Sequence, residues 1–238
     1  MKGTLYLIPT VLAEGTEQRV LSPEIPMTVG RLKFFLCENI RTARRFISAL
    51  KVHPSIESLQ FTELNKDTPE QHLPELLAPL SAGEDAGLLS EAGCPGVADP
   101  GALAVAFAHR HGIRVVPLTG PSSLLLGLMG SGLNGQRFAF HGYLPIEAKA
   151  IGTALRTLEQ ESREKNQTQL FIETPHRNNS LMAHLLRYLR SDTRLCLAYH
   201  LTSPEGWIKT LTVAEWKKNI PALDKVPVTF LFLAGAGR

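Results

Sequence analysis

The sequence predicts an α/β protein built on parallel strands, because a strand, helix and strand follow one another between residues 86 and 118. Residues 86–89 form a short apolar run that is typical of a buried strand. Apolar residues then recur at helical spacing over 103–108, and a second apolar run covers 113–118. Two strands joined by one helix lie parallel with a right-handed crossover, so this unit predicts a parallel sheet.

The ends of the central helix carry their own signals. Asp99 is a suitable N-cap, and Pro100 suits the first helical position because its missing N–H costs nothing there. Gly112 suits the left-handed residue that ends a helix.

Further strands and helices alternate along the chain, whereas residues 11–30 read as irregular. We infer two α/β domains, 1–119 and 120–238. Strands are predicted over 3–8, 32–37, 57–64, 137–143, 168–173, 194–201, 207–211 and 226–233; helices over 41–50, 68–80 (broken near Pro74 and Pro79), 147–165, 179–190 and 213–219, with a small-residue helix after Ser122.

Composition restricts the class of protein. The net charge of +3 and the pI near 8.8 permit an anionic partner such as RNA without requiring one. No run of 18 apolar residues exists, and the first ten residues lack the features of a signal peptide. We therefore expect a soluble, cytoplasmic protein with no membrane partner.

The cysteines and histidines do not predict a metal site or a disulfide framework. Cys37, Cys94 and Cys196 are few and far apart, and Cys94 alone lies in a loop. His109 and His111 suit a helix end better than a metal. The chain also lacks the P-loop, G-x-G-x-x-G, G-x-S-x-G and H-E-x-x-H motifs.

Two loops of small residues, 90–98 and 119–123, follow the two strands of the central unit. The carboxyl ends of parallel strands meet at one edge of a sheet, which is where open α/β sheets bind ligands. We therefore expect both loops to face one ligand crevice; the alternative is that their Gly and Pro residues only form tight turns.

Several motifs follow one another along essentially the whole chain. They are the S-E-A-G-C-P run from Ser90 and the D-P-G run from Asp99, with P-T at 9–10, E-N-I-R at 38–41, I-R-V-V-P-L-T-G-P-S at 113–122, R-F…G-Y-L-P at 137–145, E-T-P-H-R at 173–177 and A-Y-H-L-T at 198–202. Taken together, these motifs resemble the tetrapyrrole methylase superfamily, and the first two are similar to its signature S-D-A-G-T-P…D-P-G. The resemblance is closest to the branch that methylates a ribose 2′-hydroxyl in small-subunit ribosomal RNA.

The resemblance implies a homodimer that binds S-adenosylmethionine in a cleft between two α/β domains. By position in the motifs, it assigns the cofactor to two loops and to two strand ends of the second domain. The residues are Ala92, Gly93, Cys94 and Val97; Pro121, Ser122 and Ser123; Ile172, Glu173 and Thr174; and Ala198 and Tyr199.

Methyl transfer to a hydroxyl benefits from a base and from a nearby positive charge. Glu38, at the end of a strand, is the candidate base, and Arg41 is the candidate phosphate or orientation partner. The alternative is that Glu38 caps the next helix while Arg41 is solvated. His176 and Arg177 can contact substrate or begin a helix. The basic residues Arg41, Arg44, Arg45 and Lys51 can meet RNA phosphates or form a solvated face.

The first hypothesis for function is therefore S-adenosylmethionine-dependent methylation of ribosomal RNA ribose. A second is methylation of a tetrapyrrole or corrin-type small molecule. A third is an inactive homologue that binds S-adenosylmethionine or RNA. Two departures from the family pattern motivate it: P-T-V-L-A-E-G-T at 9–16 and Asn39 in place of Asp. A further departure is Glu91 in place of Asp.

Overall fold

The computed structural model describes residues 1–223 and 225–235, and it has the predicted α/β class, with two five-stranded sheets. The chain divides into two compact units, Met1–Ser122 and Ser123–Arg238. The domain boundary after residue 119 stays a prediction. Residue 224 and residues 236–238, which belong to the predicted second domain, lie outside the described residues.

The first unit contains an all-parallel sheet of five strands, which are β1 (Thr4–Ile8), β2 (Phe34–Cys37), β3 (Gln60–Glu63), β4 (Ala86–Leu89) and β5 (Arg114–Pro117). The strand order is β3-β2-β4-β1-β5. Ile8 and Cys37 both lie in register with Leu89, so the carboxyl ends of three neighbouring strands are level. Central strands β2 and β4 are buried throughout, as their apolar runs predict.

The helices of the first unit cover both faces of this sheet and bury two apolar clusters. The prediction that 11–30 is irregular is wrong, because Ile25 and Val29 place a short helix against the core. The predicted break in 68–80 is confirmed: Pro74 and Pro79 each stand in the first turn of a separate short helix. The helices are α1 (Glu17–Val20), α2 (Glu24–Val29), α3 (Ile40–Leu50), α4 (Leu73–Leu76), α5 (Ala78–Ala82) and α6 (Gly101–Arg110), with a 3-10 turn at Glu70–His72.

The start of α6 differs slightly from the prediction. Pro100 precedes the first helical residue, Gly101, instead of occupying that position. Asp99 nevertheless holds the start of the helix, because its Oδ1 accepts the backbone N–H of Gly101 at 2.8 Å. The predicted left-handed end is confirmed by Gly112, whose φ is +59°.

The second unit contains a mixed sheet of five strands, which are β6 (Phe138–Tyr143), β7 (Thr168–Ile172), β8 (Arg194–Tyr199), β9 (Trp207–Thr212) and β10 (Val228–Leu233). The strand order is β6-β7-β10-β8-β9, and among these neighbouring pairs only β6–β7 is parallel. The apolar core of the unit lies on both faces of the sheet. The helices are α7 (Ser123–Ser131), α8 (Ala148–Lys165), α9 (Asn178–Tyr188) and α10 (Val213–Trp216), with a 3-10 turn at Pro175–Arg177.

Helix α7 packs closely on the second sheet because of a glycine. A Cβ on Gly127 would lie 3.3 Å from the Cβ of Ala198 and 3.4 Å from Leu231, so a larger side chain would push the helix away. None of the helices in the described part of the chain is long and apolar enough to cross a membrane.

Candidate functional site

The candidate site in the first unit is built from the segments that follow β1, β2, β4 and β5, at the carboxyl edge of the parallel sheet. Thr10, separated from the end of β1 by Pro9, is buried and donates its backbone N–H to the Gly93 carbonyl at 2.9 Å. Its hydroxyl donates to the Ser90 carbonyl at 3.3 Å. The loop after β4 is therefore fixed to the end of β1 through its own backbone.

The two small-residue loops touch each other. The Cys94 thiol donates to the Pro121 carbonyl at 3.4 Å. Gly93 has φ +77°, and a Cβ there would lie 3.2 Å from Leu12 Cδ2 and 3.3 Å from the same carbonyl. Glycine is therefore needed both for the backbone conformation and for the close approach. Beside this contact Ala92 is exposed, Val97 is 47% exposed, and Ser122 is half-buried.

The carboxylate of Asp99 holds the second half of the loop after β4 (residues 90–98, the first loop). Asp99 Oδ1 accepts the backbone N–H of Gly96 at 2.7 Å as well as that of Gly101. Burial raises the pKa of Asp99, although both hydrogen bonds favour its ionised form and lower it. Asp99 therefore fixes the path of the loop into α6, and its carboxylate is occupied by backbone donors.

The segment after β2 places the candidate base at the same edge. Asn39 caps α3, since its Oδ1 accepts from the backbone N–H groups of Arg41 at 2.9 Å and Thr42 at 3.4 Å. The alternative in which Glu38 caps this helix is therefore wrong. Burial, then the carboxylates of Glu91 and Asp99, raise the pKa of Glu38, and the Lys66 ammonium lowers it. A carboxylate with a raised pKa is better suited to accept a proton near neutral pH.

The basic residues of α3 differ in their partners. Arg41 is exposed in the first turn, and it follows Glu38 in the chain after Asn39 and Ile40. Arg44 lies over the Phe61 ring at 5.5 Å, and Arg45 is paired with Glu14 at 2.7 Å. Lys51 lies at the left-handed C-cap. Arg41 is therefore the member of this group that lies at the end of α3 nearest the candidate base.

In the second unit, the predicted residues flank the start of β10. Ile172 at the end of β7 and Ala198 near the end of β8 both lie in register with Thr229. The Glu173 side chain is only 1% exposed and is engaged by the Arg177 guanidinium at 3.0 Å and the Thr174 N–H at 2.7 Å. The carboxylate of Glu173 therefore has a structural role, and only its backbone is open to a ligand role.

The other predicted residues of the second unit are spread around this end of the sheet. Tyr199 stacks on Trp207 with ring centroids 5.1 Å apart, on the face of the sheet opposite that of Ala198. His176 is exposed in the 3-10 turn before α9, and Ser123 begins α7. Among the described residues, no group of three or more His, Cys, Asp or Glu side chains is placed to hold a metal ion.

Sequence reasoning missed two threonines that hold the site together, Thr10 and Thr42. Thr10 fixes the first loop, and the Thr42 hydroxyl lies within hydrogen-bond distance of the Glu91 carboxylate in that loop. Both stand beside quoted motifs, P-T and E-N-I-R, but a threonine at a strand end or in a first helical turn is too common to signal such a contact.

Solved structures define the class to which this fold belongs. The methyltransferase CobJ aligns with a TM-score of 0.66, 15% identity, 99% coverage of this chain and 96% of that one. Uroporphyrin-III C-methyl transferase from Thermus thermophilus, solved in complex with S-adenyl homocysteine, aligns with a TM-score of 0.61, 18% identity and 97% coverage of both chains. The chain therefore has the tetrapyrrole methylase fold, as its motifs indicated.

Sequence relatives narrow the class to one family. The ribosomal RNA small subunit methyltransferase I of Escherichia coli O157:H7 is 30% identical over 221 residues, which are 92% of this chain and 73% of that protein. The protein of the same name from Synechocystis is 29% identical over 223 residues, 92% of this chain and 76% of that protein. No family model matches the chain. The chain belongs to the family of ribosomal RNA small subunit methyltransferase I.

Proposed function

We propose that this protein transfers the methyl group of S-adenosylmethionine to a ribose 2′-hydroxyl of small-subunit ribosomal RNA. The observation that carries the proposal is the 30% identity to an enzyme named for this RNA over 92% of the chain. The site supports it, because two touching loops of small residues and a partly buried carboxylate lie at one edge of the first sheet.

The two touching loops have the chemistry that a nucleoside-containing cofactor requires. Backbone groups and small side chains can approach an adenosine and an amino-acid group closely, and Gly93 prevents any side chain from blocking that approach. We assign Ala92, Gly93, Cys94, Val97, Pro121, Ser122 and Ser123 to the cofactor. We assign to it also Ile172, Glu173, Thr174, Ala198 and Tyr199 of the second unit, with Glu173 acting through its backbone.

When bound, S-adenosylmethionine supplies a methyl group on a positively charged sulfur, which an oxygen nucleophile displaces in line. Glu38 is the base in this proposal: it accepts the proton of the ribose hydroxyl as the oxygen attacks. Arg41, exposed in the first turn of α3, holds a neighbouring phosphate and so orients the ribose. The methyl–oxygen bond forms as the methyl–sulfur bond breaks, and the proton goes to Glu38.

We further propose that the protein acts as a homodimer in the cytoplasm, where ribosomal subunits assemble, and that the domains divide at 1–119 and 120–238. The tetrapyrrole hypothesis rests on structural neighbours at 15% and 18% identity, which show the fold alone. It is not favoured, and neither is the inactive homologue.

The experiment is transfer of a labelled methyl group to small ribosomal subunits isolated from cells that lack the corresponding methylation. Naked small-subunit RNA and a tetrapyrrole precursor are tested in parallel, and mass spectrometry of digested nucleosides identifies a 2′-O-methyl product. Glu38→Gln should abolish transfer while leaving S-adenosylhomocysteine binding intact. Glu75→Gln, an exposed carboxylate on α4, is the matched control.

Labelling of the tetrapyrrole alone would contradict the proposed substrate. Cofactor binding without turnover on any acceptor would favour the inactive homologue. Full activity of Glu38→Gln would remove Glu38 from the role of base while leaving the methyltransferase assignment in place.

A further inference from the structure

One hydrogen bond connects the first loop of the site to the helix that follows the candidate base. The Thr42 hydroxyl lies within hydrogen-bond distance of Glu91 Oε1 and 3.0 Å from the Asn39 carbonyl. That carbonyl already accepts the Ala43 N–H at 3.1 Å. A hydroxyl has one proton to donate, and a carboxylate is the stronger acceptor, so the bond to Glu91 is favoured.

This bond holds the side chain of Glu91, whereas the contacts of Thr10 and Cys94 hold the loop at neighbouring positions. Thr10 binds the backbone at Ser90 and Gly93, and Cys94 binds the loop after β5. Glu91 itself is exposed, and an exposed glutamate with several rotatable bonds is mobile unless a partner fixes it. Thr42 lies in the first turn of α3, where its backbone N–H donates to the Asn39 cap, so it can supply that constraint.

We propose that Glu91 is a positioning residue for methyl transfer: its bond to Thr42 holds the cofactor loop in register with the Glu38–Arg41 segment. The proposal rests on the proposed function, because it assigns the donor to that loop and the acceptor to that segment. Neither Glu91 nor Thr42 touches the reacting atoms. They act by fixing the distance between the two segments that do.

The same contact places a negative charge near the base. The charged groups that face Glu38 are Glu91 and Asp99 from the loop after β4 and Lys66 from the segment after β3, with Arg41 following in α3. The two carboxylates raise the pKa of Glu38 in addition to the effect of burial. Removing the charge of Glu91 should therefore make Glu38 a weaker base and move its titration to lower pH.

The length of the Glu91 side chain should matter as well as its charge. Glu91 stands where the family signature has Asp, and the additional methylene extends the reach of the carboxylate toward α3. Glu91→Asp keeps the charge but shortens that reach. It should behave like a variant that has lost the Thr42 bond, with less effect on the pH profile than Glu91→Gln.

The test is steady-state methyl transfer to small ribosomal subunits as a function of S-adenosylmethionine concentration and pH. Thr42→Val removes the donor and should lower kcat by about tenfold, with a much smaller change in KM for the cofactor. Thr42→Ser keeps the hydroxyl and should retain most of the kcat of the unmodified protein.

Glu91→Gln keeps an acceptor oxygen for Thr42 but removes the negative charge, so the acid limb of the plot of kcat against pH should move to lower pH. Thr153→Val, at an exposed position of α8, is the matched control for replacing a threonine.

The possible outcomes separate the positioning role of Glu91 and Thr42 from the proposed methyltransferase function. Equal kcat values for Thr42→Val and the unmodified protein would overturn the positioning role while leaving the methyltransferase function intact. A kcat for Thr42→Ser as low as that of Thr42→Val would also overturn the positioning role. No transfer by the unmodified protein would instead overturn the proposed function, and the inference with it. Melting temperatures of all variants identify any loss of rate that comes from unfolding.

Discussion

The Cys94 thiol donates to the Pro121 carbonyl across an Sγ–O distance of 3.4 Å and so joins the loop after β4 to the loop after β5. Because a thiol is a weak donor, this bond guides the contact more than it stabilises it. The main consequence is that a bulky group on this sulfur would separate two loops that are assigned to the cofactor.

The three cysteines should therefore differ in reactivity. Burial raises the pKa of Cys37 to about 12 and that of Cys196 to about 11, and it raises the pKa of half-buried Cys94 as well. The thiolate is the reactive form, so iodoacetamide at pH 7.5 should label Cys94 first, but more slowly than free cysteine. Peptide mass spectrometry gives the rates, and labelling should abolish S-adenosylhomocysteine binding.

The control is Cys94→Ser, which should bind the cofactor and resist inactivation. Bound S-adenosylhomocysteine should slow the labelling of Cys94 in the unmodified protein. Labelling of Cys37 or Cys196 in the folded protein at the rate of Cys94 would contradict the prediction.

Alanine substitutions at Gly93 and Gly112 should separate the effect of backbone strain on stability from the effect of crowding on cofactor binding. Gly93 and Gly112 both have positive φ, +77° and +59°, so alanine at either position should cost about 1–2 kcal/mol of unfolding free energy. A Cβ at Gly112 meets nothing within 4 Å, whereas one at Gly93 crowds Leu12 and the Pro121 carbonyl. Gly93→Ala should weaken S-adenosylhomocysteine binding at least about tenfold, and Gly112→Ala should not change it.

Calorimetric titration gives the two affinities, and urea unfolding gives the two stabilities. Equal affinities for the two variants, together with the expected losses of stability, would show that the loop containing Gly93 does not line the cofactor site.

The sequence allowed prediction of what depends on local pattern. The apolar run at 86–89 and the glycine at 112 predicted a strand and a helix end that the structure contains. Parallel topology then predicted that the loops after β4 and β5 would lie at one edge, and Gly93 and Pro121 do approach each other there.

Long-range contacts could not be predicted in this way. Nothing in the local pattern at Thr10 or Thr42 shows that each will find a partner in a loop that lies about fifty or more residues further along the chain. The two short helices within 11–30 were missed for a related reason. Both are too short for helical propensity to predict them, and α2 is held by burying Ile25 and Val29 in tertiary contacts.

Arg41 should contribute to RNA binding through charge. Replacing it with Gln removes one positive charge, so the slope of log affinity for small-subunit RNA against log salt concentration should decrease by about one. Arg110→Gln is the matched control, because Arg110 ends α6 near the start of β5, at the opposite edge of the sheet. Filter binding across a salt series measures both slopes, and equal slopes for the two variants would remove Arg41 from the RNA contact.

Asp99 should affect stability in a way that depends on pH. Burial raises its pKa in the folded state, so the native protein holds this proton more tightly than the unfolded chain does. The free energy of unfolding due to Asp99 should therefore be highest below the unfolded pKa, and it should fall as the pH rises through the native pKa. Asp99→Asn keeps an oxygen that can accept from Gly96 and Gly101 but carries no charge, so it should match the unmodified protein at low pH and equal or exceed its stability at pH 7.

Asp99→Ala tests how much the two hydrogen bonds that Asp99 accepts contribute to stability. It removes the acceptor altogether and leaves two backbone N–H groups without their partner, which should cost about 1–3 kcal/mol of unfolding free energy at every pH. Urea unfolding of the three proteins between pH 4 and pH 8 distinguishes the two effects. If Asp99→Asn is as unstable as Asp99→Ala at pH 7, the charge of Asp99 stabilises the start of α6, and burial is not the dominant influence on this carboxylate.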